Sequence, residues 1–351
     1  MTMISDSSPR WHRLADRVLE GARLTADEGL SILRSDVTQL LDLLAAAYRV
    51  RYQWCGNRVH LNFLVNAKSG LCGEDCGYCS QARGSTADIP RYKLVDPSQI
   101  VAGAEMARER GAGTYCIVTA GRSPTPRELE AVATAVAQVK ATGYLHVCVS
   151  TGLLNDEQAQ RLKAAGVDRV NHNLNTSRRY YPQICTTHTY DDRLNTLRVA
   201  RAAGLELCCG GIVGMGEEDQ DVVDLALSLG ELRAEAVPIN FLLPIEGIRL
   251  AGAKESTRRL NPRFCLKALC LFRLANPRCE LRIAAGRELH LGSLQAMGLY
   301  PANSIFVGDY LTEKGQPPTD DYRLIEDLGF ELVLEGTGVP LARIIHDRIE
   351  A

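Results

Sequence analysis

The sequence has no long apolar run and no marked excess of charge of either sign. Its longest apolar stretch, residues 40–48, contains an aspartate and is far too short to cross a bilayer. The N-terminal region is polar and amphipathic and shows no apolar signal core. A formal net charge of -2 over 351 residues argues against a broad basic surface for nucleic acid or membrane. We therefore expect a cytoplasmic protein that binds neither nucleic acid nor membrane.

Low-complexity segments and interdomain linkers are also absent, and 46% of the residues are hydrophobic, which is enough for a large core. An α/β barrel of this length can be a single domain. We predict one catalytic domain, residues 58–315, between an N-terminal helical cap, residues 1–57, and a C-terminal extension, residues 316–351. Within the cap, Thr25 and Glu28 form a capping-box pattern that predicts the start of a helix.

Short β-rich runs alternate with helical patterns along the middle of the chain. Strands are predicted at residues 59–65, 115–119, 145–149, 169–174, 205–213, 237–243, 281–284 and 304–307. Helices are predicted at residues 97–110, 125–141, 156–165, 191–203, 219–232 and 262–275, several of them followed by a glycine, which commonly ends a helix. Eight strands alternating with helices predict an α/β fold, the (β/α)8 TIM-type barrel.

The twelve cysteines are expected to be metal ligands or small core residues, because a reducing cytoplasm does not favour disulfides. Cys72, Cys76 and Cys79 follow the first predicted strand as C-x3-C-x2-C, with no fourth thiol nearby. A structural zinc site takes four protein ligands. Three thiolates can instead hold three corners of a cubane iron–sulfur cluster and leave one iron open. The alternatives are a zinc knuckle completed by a distant cysteine or histidine, and a cluster that only carries electrons.

The triplet, with the aromatic Tyr78 before its last cysteine, is similar to the signature of the radical S-adenosylmethionine superfamily. Further blocks resemble the biotin synthase family within it: NAKSGLC at 66–72, YCSQ at 78–81, NHNLNTS at 171–177, GGIVG at 210–214, VPIN at 237–240, RIAAGRE at 282–288 and ANSIF at 302–306. The resemblance implies that Cys72, Cys76 and Cys79 hold a 4Fe–4S cluster. Its open iron would bind S-adenosylmethionine, whose cleavage would give a 5′-deoxyadenosyl radical.

The same resemblance implies a second cluster, 2Fe–2S, with ligands from different strands: Cys116, Cys148, Cys208 and Arg282. Taken singly, each of these cysteines could instead be a small buried core residue. Arg287 is a nearby alternative to Arg282, but strand alternation places residues 282, 284 and 286 on one face and 287 on the other. The remaining cysteines, Cys55, Cys185, Cys209, Cys265, Cys270 and Cys279, are not expected to be ligands. His172 and His188 are expected to have structural roles.

Binding residues are also implied by the resemblance, and most carry amides, each of which offers a donor and an acceptor. Contacts to S-adenosylmethionine are implied for Tyr78, Asn173, Asn175, Gly210, Gly211 and Ile212. Asn173 with Asn240 would reach the ureido ring of dethiobiotin. Many family members have Asp where this chain has Asn175. Gly210 and Gly211 either let the backbone approach the cofactor or mark a tight strand exit.

The implied function is the last step of biotin biosynthesis, insertion of sulfur between C6 and C9 of dethiobiotin. Two molecules of S-adenosylmethionine would be consumed per biotin, and a sulfide of the 2Fe–2S cluster would be the sulfur source. Expected partners are a flavodoxin- or ferredoxin-type reductant, iron–sulfur assembly proteins and a second copy of the chain in a homodimer. The alternatives are another radical S-adenosylmethionine barrel, such as a hydrogenase-maturation enzyme, and a non-enzymatic zinc or electron-carrier protein.

Overall fold

A computed structural model of the chain describes residues 9–252 and 260–333. Its strands in that part are β1 (Arg58–Lys68), β2 (Thr114–Thr119), β3 (His146–Ser150), β4 (Arg169–Asn171), β5 (Glu206–Cys208), β6 (Gly211–Val213), β7 (Ala236–Phe241), β8 (Glu280–Ile283), β9 (Ser304–Phe306) and β10 (Glu331–Val333). The helices are α1 (Arg10–Leu19), α2 (Ala26–Leu33), α3 (Leu40–Cys55), α4 (Pro97–Glu109), α5 (Pro126–Ala141), α6 (Asp156–Ala164), α7 (Tyr181–Ile184), α8 (Tyr190–Ala202), α9 (Asp219–Leu232), α10 (Pro262–Ala275), α11 (Arg287–Leu291), α12 (Gln295–Gly298) and α13 (Pro318–Asp327).

The sheet closes into a parallel barrel. Neighbouring strands pair in the order β1, β2, β3, β4, β5, β7, β8, β9, and β9 pairs back with β1, where His60 lies opposite Ser304. β6 follows β5 in line, so the two together occupy the fifth strand position of the barrel, and β6 pairs with β7. Eight parallel strand positions in a closed ring confirm the predicted barrel. The carboxyl ends of all strands lie at one rim, where barrel active sites lie.

At the fifth strand position the structure differs from the prediction, which was one strand over residues 205–213. The structure divides it into β5 and β6, with Cys209 and Gly210 between them. A Cβ atom on Gly210 would lie 1.8 Å from the carbonyl oxygen of Pro238. The chain therefore passes so close to β7 that the regular ladder is interrupted there. The fourth strand is also shorter than predicted and ends at Asn171.

Several of the helices begin at well-formed caps. The hydroxyl of Thr25 accepts a hydrogen bond from the backbone of Glu28, and the carboxylate of Glu28 accepts one in return, which confirms the predicted capping box. Thr125, Asn155 and Thr189 begin α5, α6 and α8 in the same way. Each box satisfies backbone donors that the first turn of a helix leaves unpaired.

The N-terminal helices pack on the outside of the barrel, α3 and α2 against α10, and α2 also against α9. After the barrel, α13 is followed by β10, which pairs with β1 from outside the closed ring, with Arg58 opposite Glu331. The limits of the predicted cap, catalytic domain and extension stay a prediction, and residues 334–351 of that extension lie outside the described part. Within residues 9–252 and 260–333, no helix is long and apolar enough to cross a membrane.

Candidate active site

The three loop cysteines lie beyond the carboxyl end of β1, at the rim of the barrel. All three border a cavity with a volume of about 360 Å³, together with residues from the ends of most other strands. Cys76 is buried, and Cys72 and Cys79 are half-buried. Burial raises the pKa of Cys79 to about 11 and also raises that of Cys72. Metal binding here would therefore release protons, because a ligating cysteine must be a thiolate.

Two acidic residues inside the triplet fasten the loop to the segment that follows α7. The carboxylate of Asp75 accepts hydrogen bonds from the backbone nitrogens of Thr186, at 2.9 Å, and Thr187, at 3.2 Å. Glu74 lies 2.7 Å from Nδ1 of His188. Charge-assisted bonds of this kind are about twice as strong as neutral ones. The two residues between Cys72 and Cys76 that carry carboxylates therefore anchor the loop to the segment after α7.

Cys185 lies beside this loop, so a thiol that is distant in the sequence is close to the triplet in three dimensions. Its sulfur is 3.8 Å from that of Cys76 and 3.0 Å from Nδ1 of His188. A hydrogen bond from the Cys76 thiol lowers the pKa of Cys185 to about 4. Cys76, Cys185 and His188 bring donor atoms within 4.8 Å of one another and could hold a metal ion. Cys72 and Cys79 do not belong to that group.

Tyr78 and Asn175 form one hydrogen-bonded pair on the cavity wall. The amide nitrogen of Asn175 donates to the hydroxyl of Tyr78 at 2.7 Å. The backbone of Asn175 is left-handed, with φ of 69°, a conformation that Asn adopts more readily than most residues. Its carbonyl accepts from the backbone of Ile212 at 2.8 Å, which aligns β6 with this stretch. Tyr78, Asn175 and Ile212 all line the cavity.

Gly210 and Gly211, at the fifth strand position, do not line the cavity. A Cβ on Gly210 would meet the backbone of Pro238, and one on Gly211 would lie 2.4 Å from a methyl of Leu225 and 2.8 Å from the carbonyl oxygen of Asn175. These contacts favour the tight strand exit over the close approach to a cofactor. A cofactor-binding role for Gly210 and Gly211 remains an untested prediction.

Asn173 and Asn240 both line the cavity, but each amide is partly engaged by the protein. The side-chain oxygen of Asn173 accepts from the backbone of Gly210 at 3.0 Å. The amide of Asn240 donates to the carbonyl of Gly211 and accepts from the backbone of Ala285, both at 3.1 Å. An amide can make about four hydrogen bonds, so Asn240 keeps one donor and one acceptor for a ligand.

Deeper in the barrel, three cysteines from neighbouring strands converge. Cys116 on β2 lies directly opposite Cys148 on β3, and Cys208 is on β5; all are buried with the small side chain of Ala284 in one lumenal cluster. The guanidinium Nη1 of Arg282 lies 3.8 Å from the sulfur of Cys208. A hydrogen bond from Cys148 lowers the pKa of Cys208.

Three thiols and one nitrogen donor are a suitable ligand set for a two-iron cluster. Arg282 is fully buried at the centre of this group, whereas Arg287 begins α11 and pairs with Asp321 at 2.7 Å. The structure therefore brings the predicted lumenal ligands together and separates Arg287 from them. Cys209, next to Cys208 in sequence, faces the outer core instead.

Arg193 is a charged cavity residue that the sequence did not indicate. Arg193 on α8 lines the cavity, donates to the carbonyl of Asn173 at 2.9 Å and lies 2.9 Å from Nε2 of His188, whose other nitrogen faces Glu74. Tyr181 also contacts its guanidinium. No local motif marks this arginine, because its neighbours come from three separate segments.

Comparison with known families first shows the class of protein to which the chain belongs. Residues 68–229 match the Radical SAM superfamily, and residues 238–331 match the Biotin and Thiamin Synthesis associated domain. The fold is similar to that of methylornithine synthase (PylB), with a TM-score of 0.78 at 21% identity, covering 91% of this chain and 97% of that one. It is also similar to the hydrogenase maturase HydG from Carboxydothermus hydrogenoformans, with a TM-score of 0.75 at 17% identity, covering 92% and 79%. The chain is thus a radical S-adenosylmethionine barrel.

Sequence relatives define the family more narrowly. The chain is 53% identical over 324 residues to the biotin synthase of Geobacillus thermodenitrificans, covering 92% of this chain and 96% of the relative. It is 51% identical over 323 residues to the biotin synthase of Bacillus subtilis strain 168, covering 92% and 95%. The chain belongs to the biotin synthase family, which confirms the predicted family and sets aside the zinc or electron-carrier protein.

Proposed function

We propose that this chain converts dethiobiotin into biotin by inserting one sulfur atom between C6 and C9. Membership of the biotin synthase family supports this activity. The observation that carries the proposal is a single cavity that reaches from the loop thiols at the rim to Cys116 in the barrel lumen. A substrate in that cavity lies between two groups of thiols with different surroundings.

At the rim, the residues fit an iron–sulfur cluster with one open iron, held by Cys72, Cys76 and Cys79. With two molecules of S-adenosylmethionine per biotin, that cluster would supply the radical needed to take hydrogen from unactivated C–H bonds, which acid–base groups cannot do. The loop is already fixed by Asp75 and Glu74. The protein therefore presents three thiols at one edge of the cavity and leaves the remaining side to the cosubstrate.

The cavity wall supplies the binding groups. Arg193 places a fixed positive charge beside the loop, where it would pair with the carboxylate of the methionine moiety. Tyr78 and Asn175 would contact the adenosine part. Asn173 and Asn240 would bind the ureido ring through the donors and acceptors that they do not use within the protein. These contacts position the substrate carbon and exclude water from the reacting atoms.

In the lumen, Cys116, Cys148, Cys208 and Arg282 would hold a 2Fe–2S cluster. Their burial leaves the cavity as the route by which a small molecule could reach them. A group placed so deep is better suited to meet a substrate than to exchange electrons with a partner protein. We propose that a sulfide of this cluster is the sulfur that enters biotin.

Further expectations for this protein stay proposals. A flavodoxin- or ferredoxin-type reductant would deliver electrons, iron–sulfur assembly proteins would rebuild the clusters, and the chain would act in the cytoplasm as a homodimer. The small net charge of -2 supports the absence of nucleic-acid and membrane partners.

The test is an anaerobic assay of reconstituted protein with dethiobiotin, S-adenosylmethionine and a reduced flavodoxin. Biotin, methionine and 5′-deoxyadenosine should all form, and iron and acid-labile sulfide should be present in similar amounts. Cys265→Ser, a change on α10 in the outer core, is a matched control that should leave product formation intact. 5′-Deoxyadenosine without biotin, from protein that carries both clusters, would show that the substrate is a different molecule.

A further inference from the structure

The three nitrogens of the Arg282 guanidinium have different surroundings. Nε donates to the hydroxyl oxygen of Ser304 at 3.2 Å, and Nη2 donates to Oε1 of Glu280 at 2.6 Å. Nη1 faces the sulfur of Cys208 at 3.8 Å. Because a guanidinium is planar and rigid, fixing two of its nitrogens also fixes the third. The bonds to Glu280 and Ser304 therefore determine which nitrogen faces the lumenal thiols.

Glu280 is itself held on both oxygens. Oε1 accepts from the hydroxyl of Ser304 at 2.6 Å, and Oε2 accepts from Nη1 of Arg169 at 2.9 Å. Glu280 lies two residues before Arg282 on β8, so the two side chains leave the same face of the strand. The carboxylate lies between two arginines and contacts both.

This chain of charges continues to the outside of the barrel. Arg169 on β4 donates to the carboxylate of Glu206 at 2.8 Å, and the side chain of Glu206 is 44% exposed, whereas that of Glu280 is 8% exposed. A buried guanidinium without a partner would be costly, and Glu280 is the carboxylate that offsets this cost for Arg282. Glu206 pairs with Arg169 and also lies 3.2 Å from Nε2 of His146.

We propose that Glu280 is a positioning residue for the lumenal cluster, which presents Nη1 of Arg282 to iron. The inference rests on the proposed function, in which Arg282 is the fourth ligand. Coordination through Nη1 would require this nitrogen to lose one proton to solvent, as ligation by a thiol does, while the N–H of Nη2 would still donate to Glu280. Without Glu280, Nη2 would lose its partner and the bond from Nε to Ser304 would still hold the guanidinium, so Nη1 would be directed less firmly towards the iron.

The test compares Glu280→Gln and Glu280→Ala with the parent after anaerobic reconstitution. Mössbauer and visible spectra report the 2Fe–2S and 4Fe–4S clusters separately. We expect the 2Fe–2S cluster to be bound about 10-fold more weakly in Glu280→Ala, as is typical when an outer partner of a ligand is removed, and to be weakened less in Glu280→Gln, which keeps an oxygen that can accept from Nη2. The 4Fe–4S content should stay at the parental level. Glu206→Gln is the matched control, because it removes the other carboxylate on Arg169 without contacting Arg282, and both clusters should be unchanged.

Arg282→Ala separates the failure of this inference from failure of the ligand assignment. If Arg282→Ala leaves the 2Fe–2S spectrum unchanged, Arg282 is not a ligand and the inference falls with that assignment. If Arg282→Ala alters the spectrum and both Glu280 variants match the parent, only the positioning role is overturned. Loss of both clusters in Glu280→Gln would also overturn it, since Glu280 would then support the whole fold.

Discussion

Replacing Asn240 with alanine tests the substrate pocket most sharply, because this amide has both structural and proposed binding roles. Within the protein it joins β6 to the segment after β8 through its bonds to Gly211 and Ala285. Two neutral hydrogen bonds contribute about 1–3 kcal/mol together to the free energy of unfolding. Thermal unfolding of Asn240→Ala should therefore show a moderate destabilisation but a cooperative transition.

The loss in ligand binding should be specific. Leaving a buried polar atom of the ureido ring unpaired costs about 1–3 kcal/mol, which weakens dethiobiotin binding by roughly 5- to 150-fold. The Kd for S-adenosylmethionine should change much less, because Arg193, Tyr78 and Asn175 remain. Both constants can be measured by anaerobic equilibrium dialysis of reconstituted protein.

Asn240→Asp is the matched variant for this experiment. It keeps the oxygen that accepts from Ala285 but replaces the donor to Gly211 with an oxygen, so dethiobiotin binding should again weaken while S-adenosylmethionine binding changes much less. If both ligands weaken equally in Asn240→Ala, Asn240 is a scaffold residue and the proposed position of the ureido ring is wrong.

Three further predictions concern other parts of the cavity. Alanine at any one of the loop cysteines 72, 76 or 79 should abolish formation of 5′-deoxyadenosine, whereas Cys185→Ala should retain it. The opposite result would show that the cluster has been assigned to the wrong thiols. Arg193→Gln should weaken binding of S-adenosylmethionine by about 1.5–3 kcal/mol, the usual value for a charged hydrogen bond, with little change in the Kd for dethiobiotin; equal losses would contradict the assigned carboxylate contact. Gly210→Ala should lower the free energy of unfolding by about 1–3 kcal/mol, measured by chemical denaturation, because its Cβ would overlap the backbone of Pro238; a variant as stable as the parent would show that β7 can move away.

The barrel was predictable because its signals are local. Apolar runs mark the strands, periodic segments mark the helices, and a capping box such as that at Thr25 fixes a helix start. The division of the fifth strand into β5 and β6 was not predictable. It depends on the close approach of Gly210 to the carbonyl of Pro238, which is 28 residues away in the sequence. Only the packed structure contains that contact.

The candidate site likewise has one part that a local motif predicts and other parts that depend on the three-dimensional structure. The loop triplet is contained in one short motif and could be recognised directly. Cys185 lies 109 residues from Cys76 in the sequence, so its position beside the loop depends on the turn of α7. The lumenal set depends on strand register, which places Cys116 opposite Cys148, and spacing along the chain does not encode register. Glu280 could have been noticed, because its two-residue separation from Arg282 on a strand already implies a shared face.

The proposed role of the lumenal residues is to hold the cluster whose sulfide becomes the sulfur of biotin. The most direct measurement is to rebuild the clusters with isotopically labelled sulfide and to analyse the biotin by mass spectrometry after a single turnover. We expect labelled biotin, loss of the 2Fe–2S spectrum in step with product, and little biotin beyond one equivalent per chain without repair. Unlabelled biotin formed while the labelled 2Fe–2S cluster stays intact would contradict it, and would show that Cys116, Cys148, Cys208 and Arg282 have a structural role.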